Sequence, residues 1–298
     1  MADVYIRNMG FLTGEAGSIK ELSAAGLISG DSGYLEAEGY SQACISKICG
    51  TEFIKQRIAI PALTEALIYC TTFPGDGCIS CNGDAKKTEE KLLYAAEDYL
   101  KSNGREDVSY VGITQQGCTG LISTADLAYM KIRLGRNKNV FCVCDDVLPK
   151  GSLRDIRVGK MLLSDTVSYM ELTSEPSKFI VLNILEKSVI GKSFFQIAAY
   201  TEMLLKDLCS GFCSINELEN LIFPNHWRGI WNSFAQHNHL GCRYEESTIA
   251  ELAHGLSADI PSNILLYEKN GCFTGGRKQA VISYGYGGHL RAMLFEAV

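Results

Sequence analysis

The chain has 298 residues, of which 46% are hydrophobic and 21% are charged, a composition typical of a soluble globular enzyme. The net charge of −6 gives no reason to expect general affinity for nucleic acid. No apolar run approaches the ~20 residues that a membrane-spanning helix needs, so we expect no membrane association. The first residues lack the basic region and apolar core of a signal peptide. Because the twelve cysteines then point to a reducing compartment, we expect a cytoplasmic protein with free thiols.

Helix and strand patterns alternate along most of the chain. The first part is predicted to contain strands at Val4–Phe11, Ala66–Cys70, Tyr110–Gln115, Asn139–Cys144 and Thr166–Leu172, and helices at Tyr40–Lys47, Lys86–Lys101 and Leu121–Leu134. The second part is predicted to contain strands at Phe179–Ile184, Asn220–Phe223, Ala280–Tyr284 and His289–Glu296, and helices at Ser193–Cys209, Trp227–Gln236 and Ser262–Asn270. The segment Gly26–Gly39 has the composition of a loop. Two successive sets of mixed units favour a layered α/β fold built from two similar halves, which we place at residues 1–172 and 173–298.

Cys118 follows an apolar strand and a glycine, and an amphipathic helical pattern begins immediately after it. This spacing predicts a thiol at the N-terminus of a helix, where unpaired backbone N–H groups and the helix dipole stabilise a thiolate. Such a thiolate is a nucleophile that can carry an acyl group. A buried structural cysteine beside a tight turn would produce the same local string, so the string alone leaves both interpretations open.

The other close cysteine pairs do not form a complete metal site. Cys78 and Cys81 form one CxxC pair in a glycine-rich stretch, but neither a second CxxC nor a helical histidine pair is present to complete a tetrahedron. Cys142 and Cys144 fall on the same face of a predicted strand, as core residues do. We therefore predict no metal and no cofactor, and we interpret Cys78 and Cys81 as a redox or incidental pair.

Three further strings narrow the interpretation. Leu221–Trp227 is a strand end with Pro, Asn and His before a helix. Glu251–Pro261 is a polar turn that opens a helix. Ser283–His289 is a strand that enters a glycine turn. Together with Cys118 and the Ser164–Thr166 segment, their order and separations resemble the thiolase superfamily, and within it the β-ketoacyl-ACP synthase III group. The resemblance covers roughly residues 66–298 and implies the layered α/β/α/β/α thiolase-like fold.

The resemblance also implies roles for individual residues. Cys118 matches the acyl-accepting nucleophile, and Gly287 matches the glycine whose N–H completes the oxyanion hole together with the N–H of Cys118. His226 matches the catalytic histidine if one residue is inserted after Pro224, and without that insertion Asn225 falls there. On this resemblance, the second half would carry the histidines and the glycine-rich oxyanion turn.

Two further positions follow from the same resemblance. His254 falls where the family has an asparagine that helps to stabilise an enolate, and Arg157 falls where an arginine helps to hold the phosphopantetheine arm of the donor. A histidine at 254 can act as a base or become charged, which argues against simple malonyl decarboxylation and suits a C–O or C–N bond-forming relative. A capping or core histidine and a solvated surface arginine are the alternatives.

The sequence therefore predicts an acyltransferase or condensing enzyme that loads an acyl group from a CoA or acyl carrier protein thioester on Cys118 and passes it to a second substrate. The resemblance places this activity in secondary metabolism or in fatty-acid or polyketide biosynthesis. The alternative is a catalytically degenerate partner subunit of a ketosynthase heterodimer. In either case we expect a homodimer or heterodimer, paired through the strand predicted at Asn139–Cys144.

Overall fold

The computed structural model describes residues 2–30, 32–72, 95–114, 116–156, 160–245, 247–285 and 287–298. Cys78, Cys81 and Arg157 lie outside the described residues, as does the first part of the helix predicted at Lys86–Lys101. None of the described helices combines the length and the apolar character needed to cross a bilayer.

The described elements alternate between strands and helices along the whole chain. The first half contains β1 (Val4–Thr13), β2 (Glu15–Ser18), α1 (Ile19–Ala24), α2 (Gly33–Ala37), β3 (Gln42–Ile45), α3 (Gly50–Arg57), β4 (Ala66–Thr71), α4 (residues 95–102), β5 (Ser109–Thr114), α5 (Gly120–Arg133), β6 (Asn139–Asp146), β7 (Asp155–Ile156), β8 (Met161–Leu162) and β9 (Thr166–Thr173). The second half contains β10 (Phe179–Ser188), α6 (Phe194–Cys209), β11 (Asn220–Ile222), α7 (Arg228–His237), α8 (Ile249–Leu252), α9 (Asp259–Lys269), β12 (Lys278–Gly285) and β13 (His289–Ala297).

The strand order shows an internal duplication. Among the described residues, nine strands form one sheet in the order β11-β12-β13-β10-β1-β9-β6-β4-β5. In the first half β4 and β6 are parallel, while β6, β9 and β1 are successively antiparallel. In the second half β11 and β12 are parallel, while β12, β13 and β10 are successively antiparallel. The second set thus repeats the first without its outer strand, as two topologically similar halves should. The division at 172/173 falls within the end of β9 and stays a prediction.

Two buried helices, α5 and α9, position the functional residues. They pack in the same apolar cluster, together with residues of β1, β4, β6, β9, β10 and β13. Small residues such as Ala125 and Ala128 face this cluster on α5, and Ile260 and Ile264 do so on α9. Removing this apolar surface from water is the main favourable contribution to the packing. Because Cys118 precedes α5 and His254 precedes α9, the packing brings these two turns into contact.

Two local predictions are wrong. Tyr40–Lys47 is not helical, because β3 forms there and pairs antiparallel with β2; the helix α3 begins only at Gly50. The Gly26–Gly39 segment contains the short helix α2. In the first case a strand partner more than twenty residues away overrides a local helical pattern, as context commonly does for short strands.

The prediction that two subunits pair through the strand at Asn139–Cys144 is also wrong. β6 has hydrogen-bonded neighbours on both sides, β4 and β9, so it has no free edge for a second subunit. In the described part of the chain the strand at this end of the sheet is β5, and its one hydrogen-bonded neighbour there is β4. A sequence pattern shows that β6 is apolar, but an apolar strand is equally expected in the middle of a sheet.

Candidate active site

Cys118 lies in the 3-10 turn Gly117–Thr119, directly before the first residue of α5. The thiol is almost fully buried, at 6% exposed. The end of β12 fixes this turn from the other half of the molecule: Ser283 Oγ donates a 2.7 Å hydrogen bond to the carbonyl of Cys118. Gly285 lies against the same turn, because a Cβ built on it would come within 2.9 Å of the Gln116 carbonyl oxygen and 3.7 Å of the Cys118 nitrogen.

His254 joins this thiol to a carboxylate. Its Nε2 lies 3.1 Å from Cys118 Sγ, and its Nδ1 lies 2.5 Å from Asp259 Oδ2. Asp259, the first residue of α9, also accepts hydrogen bonds from the backbone N–H of Gly255 (2.7 Å) and of Asn225 (2.8 Å). The result is a buried thiol–imidazole–carboxylate chain with the connectivity of a catalytic triad.

The electrostatics of His254 follow from this chain. Complete burial by itself would lower the pKa of the imidazole, but the Asp259 carboxylate and then the Cys118 sulfur more than offset it. The pKa of His254 is therefore raised well above its ordinary value. A charged imidazolium beside the sulfur stabilises the thiolate, which is the reactive form of cysteine.

His226 contacts the same ring but behaves in the opposite way. The two ring centroids are 4.4 Å apart, and His226 is also completely buried. Burial first, and then the charge of His254, hold the pKa of His226 well below its ordinary value, so its ring stays neutral. Its Nδ1 has no hydrogen-bond partner among the described residues. A buried polar atom without a partner is costly and is typical of a site that binds something else.

Backbone strain is concentrated at these two histidines. Three of the five non-glycine residues with positive φ in the described chain flank them: Trp227 (φ 55), Ala253 (φ 57) and Leu256 (φ 54). Each such conformation costs of order 1–3 kcal/mol and persists only where the surrounding structure enforces it. This distribution indicates that the fold holds both imidazoles in place at some cost in stability.

Asn225, the alternative to His226, is occupied in structural hydrogen bonds. Its side-chain amide donates to Thr248 Oγ1 (3.0 Å) and to the carbonyl of Ala253 (2.8 Å), and its oxygen accepts from Asn263 (3.0 Å). Asn225 therefore ties the turn that carries His226 to the turn that carries His254. The imidazole of His226, unlike this amide, keeps a free polar atom.

One side of the nucleophile is apolar. Cys118 belongs to a small buried cluster with the side chains Leu148, Met161, Leu163 and Leu256, and Ile156 packs against it. Water is excluded from this side, so charges in the site interact more strongly than they would in solution. These side chains offer an apolar surface to a group carried on the sulfur.

His226, His254 and Asp259 are the residues that could hold a metal ion in the described part of the chain. Their ligand atoms lie within 4.8 Å of one another. However, both nitrogens of His254 already face Asp259 and Cys118, and both oxygens of Asp259 accept backbone N–H groups. These three side chains suit proton transfer better than metal coordination, because the ligand atoms of His254 and Asp259 are already engaged.

The structure brings together Cys118, His226 and His254 from three separate parts of the sequence. Gly285 is the glycine that lies against the nucleophile turn, while Gly287 lies two residues further on in the exposed turn after β12, and its part in an oxyanion hole stays a prediction. Sequence reasoning missed Asp259 as part of the site. The available signal was an acidic residue five positions after His254, in the first turn of the following helix, where an aspartate also has a bland explanation as a favourable helix-dipole partner.

No protein-family model matches the sequence, and no curated protein is significantly similar to it. Solved structures do match over almost the whole chain. The 3-oxoacyl-(acyl carrier protein) synthase III FabH of Pseudomonas aeruginosa PAO1 has a TM-score of 0.77 at 15% identity, covering 99% of this chain and 98% of that one. ChlB3, described as an acyltransferase, has a TM-score of 0.75 at 18% identity, with coverages of 99% and 98%. OleA of Xanthomonas campestris, solved as a variant with one histidine replaced by alanine, has a TM-score of 0.73 at 12% identity, again covering 99% and 98%.

These matches establish the fold. The chain has the thiolase-like fold of the synthase III structures, as the sequence resemblance implied. At such low identity the likeness carries no residue roles with it, so the chemistry has to be argued from the site itself.

Proposed function

We propose that this protein is an acyltransferase that carries its acyl group on Cys118 and uses His254 and Asp259 as the base and orienting carboxylate of a triad. The observation that supports this proposal most directly is the continuous chain of contacts from Cys118 Sγ through His254 to Asp259 Oδ2. The acyl donor would be a CoA or acyl carrier protein thioester.

In the loading step, the Cys118 thiolate attacks the thioester carbonyl to form a tetrahedral intermediate. When this intermediate collapses, the carbon–sulfur bond to the donor breaks and the His254 imidazolium gives its proton to the departing thiolate. The products are acyl-Cys118, a free donor thiol and a neutral His254. We propose that the backbone N–H groups of Cys118 and Gly287 hold the oxyanion, and that Arg157 contacts the donor arm.

In the transfer step, neutral His254 takes a proton from the acceptor as the acceptor attacks the acyl carbon. The second tetrahedral intermediate expels the Cys118 thiolate, which restores the thiolate–imidazolium pair. Asp259 keeps the imidazole in one orientation throughout and stabilises its charged form. Neutral His226, with its free Nδ1, is placed to hydrogen-bond the acceptor.

This site favours a hydroxyl or amine acceptor over a malonyl group. Decarboxylative condensation requires neutral hydrogen-bond donors that hold an enolate and take up no proton, whereas neutral His254 paired with Asp259 acts as a base that removes a proton from the acceptor. A C–O or C–N bond-forming reaction needs the base that the Asp259–His254 pair supplies. The description of ChlB3 as an acyltransferase is consistent with this choice. We propose a place in secondary metabolism or in fatty-acid or polyketide biosynthesis.

Intact-protein mass spectrometry with a panel of acyl-CoA and acyl carrier protein thioesters tests the proposal. We expect one acyl adduct on the wild type and none on Cys118→Ala, with peptide mapping locating the adduct on Cys118. Adding alcohols or amines should then discharge it. If no thioester of the panel loads the protein, the degenerate-partner alternative replaces the proposal. If only a malonyl thioester discharges the adduct, with loss of CO2, the protein is a condensing enzyme.

We also propose that two copies of the chain pair through β5. This outer strand is exposed along most of its length and carries apolar side chains at Tyr110 and Val111. An exposed apolar edge is a template for strand pairing. Light scattering at micromolar concentration should report a dimer for the wild type, and Val111→Lys should shift the mass toward a monomer. A monomeric wild type would contradict this arrangement.

A further inference from the structure

Asp146 is a buried carboxyl group close to the triad that the proposed reaction does not use. It is the last residue of β6, and its side chain is 0% exposed. Oδ1 lies 2.5 Å from Thr72 Oγ1, and Oδ2 accepts a 2.9 Å hydrogen bond from the backbone N–H of Ser257. Its neighbour Asp145 takes part in a different set of contacts, accepting a hydrogen bond from the hydroxyl of Tyr69.

The two partners of Asp146 belong to the two halves of the site. Thr72 Oγ1 lies 3.3 Å from the carbonyl oxygen of Gly117, the residue before the nucleophile. Ser257 lies in the 3-10 turn Leu256–Ala258, between His254 and the carboxylate that orients it. One carboxyl group therefore connects the nucleophile turn to the base turn.

The protonation of Asp146 decides where the hydroxyl of Thr72 can donate. That hydroxyl has one proton but two acceptors in range, the Asp146 carboxylate and the Gly117 carbonyl. If Asp146 is ionised, Thr72 donates to it. If Asp146 is protonated, Asp146 can donate to Thr72, and Thr72 is then free to donate to the Gly117 carbonyl.

The charge of Asp146 also acts on the base. Burial raises the pKa of Asp146 to about 6, and hydrogen bonds from Thr72 and Ser257 and the charge of His254 oppose part of that rise. Because a Coulomb interaction is mutual, an ionised Asp146 stabilises the His254 imidazolium in return. Among the described residues, Cys144 also faces Asp146, and burial holds the pKa of this thiol well above its ordinary value, so it stays neutral.

We propose that Asp146 is a positioning residue that locks the turns of Cys118 and His254 together through Thr72 and Ser257, and that its negative charge adds to that of Asp259 in stabilising the imidazolium form of His254. This inference rests on the proposed function only in assigning His254 as the acid and base. Asp146 is thus a second carboxylate, outside the triad, that helps to set the pH range over which the thiolate–imidazolium pair persists.

Asp146→Asn is the direct test, because asparagine has nearly the same shape and can still accept from Ser257 and donate to Thr72, but carries no charge. The titration of His254 is followed by NMR with labelled histidine, which is practical because the chain has five histidines. We expect the midpoint of His254 to fall by on the order of one pH unit, the size of a nearby buried charge. An unchanged midpoint would overturn the proposal.

Two further variants complete the experiment. Asp145→Asn removes the neighbouring charge and is expected to leave the His254 midpoint in place; an equal fall in this variant would also overturn the proposal. If Asp146→Asn does not fold, Thr72→Val serves instead, since losing the hydroxyl disfavours ionised Asp146 and should lower the same midpoint, while Thr72→Ser restores it. A Thr72→Val protein with the wild-type midpoint would count against the idea. None of these titrations needs an acyl donor, so a failure of acyl loading would contradict the proposed function without affecting this result.

Discussion

Two histidines in contact with each other, on two turns of the second half, have opposite protonation. His226 stands at the turn before α7 and His254 at the turn before α9, with ring centroids 4.4 Å apart. Both are completely buried, yet the pKa of His226 is lowered and that of His254 is raised. Burial therefore cannot explain the difference.

The difference comes from what each ring contacts. His254 lies between the Asp259 carboxylate and the Cys118 sulfur, whereas His226 contacts His254 itself and the aromatic ring of Trp227. Each negative group favours a charged imidazole, while a neighbouring imidazolium disfavours one. Pairs of titratable groups whose surroundings move their pKa values apart commonly divide the work of proton transfer.

Replacing the carboxylate of Asp259 should have the largest effect on the difference between His254 and His226. In Asp259→Asn the imidazole of His254 loses its charge partner and its fixed orientation, so we expect single-turnover acyl transfer to fall by ~10⁴ at neutral pH, the loss seen when a triad carboxylate is neutralised. The NMR midpoint of His254 should fall at the same time. A variant that transfers acyl groups at the wild-type rate would show that Asp259 has only a structural function at the start of α9.

Removing the neutral histidine should have a smaller and more selective effect. In His226→Gln we expect loading of Cys118 to change by less than about threefold, while discharge to the acceptor falls by ~10², the usual contribution of a group that handles a proton. Rapid-quench measurements of the two half-reactions separate these outcomes. An equal loss in both halves would mean that His226 supports the site as a whole and has no specific contact with the acceptor.

Restoring the residue expected from the family tests the base separately. In His254→Asn the thiolate keeps the N-terminal end of α5 but loses its imidazolium partner, so alkylation of Cys118 by iodoacetamide at pH 7 should slow by about tenfold or more. Peptide mapping measures this rate against the other cysteines, among which Cys118 should be the fastest in the wild type. If His254→Asn leaves the rate unchanged, the helix end alone activates the thiol.

The remaining prediction concerns stability and not a rate, and it depends on Asp146, the third titratable group beside the histidines. Because the folded-state pKa of Asp146 is raised to about 6, the unfolded chain releases this proton first as the pH rises. Stability should therefore decline between about pH 4 and pH 6, by at most about 3 kcal/mol from this group. Asp146→Asn lacks that decline, so its Tm relative to the wild type should rise across this interval. A Tm difference that is constant with pH would contradict the raised pKa.

The strand and helix pattern of this protein could be predicted from its sequence to a large extent. Long periodic segments such as α5 and α6, and apolar strands such as β4 and β10, form where the pattern places them, because their apolar residues match the positions that the fold buries. The string around Cys118 likewise predicts a thiol before a helix, since a glycine-flanked turn between a strand and a helix is encoded locally.

What the sequence could not determine depends on which segments meet. The pairing of β3 with β2, the interior position of β6 and the contact between the turns before α5 and α9 all arise from packing between distant parts of the chain. The different protonation states of His226 and His254 belong to the same class, because both residues are histidines beside a helix in the sequence. Only the folded chain places a carboxylate against one ring and leaves the other without it, and that placement determines which imidazole can act as the base.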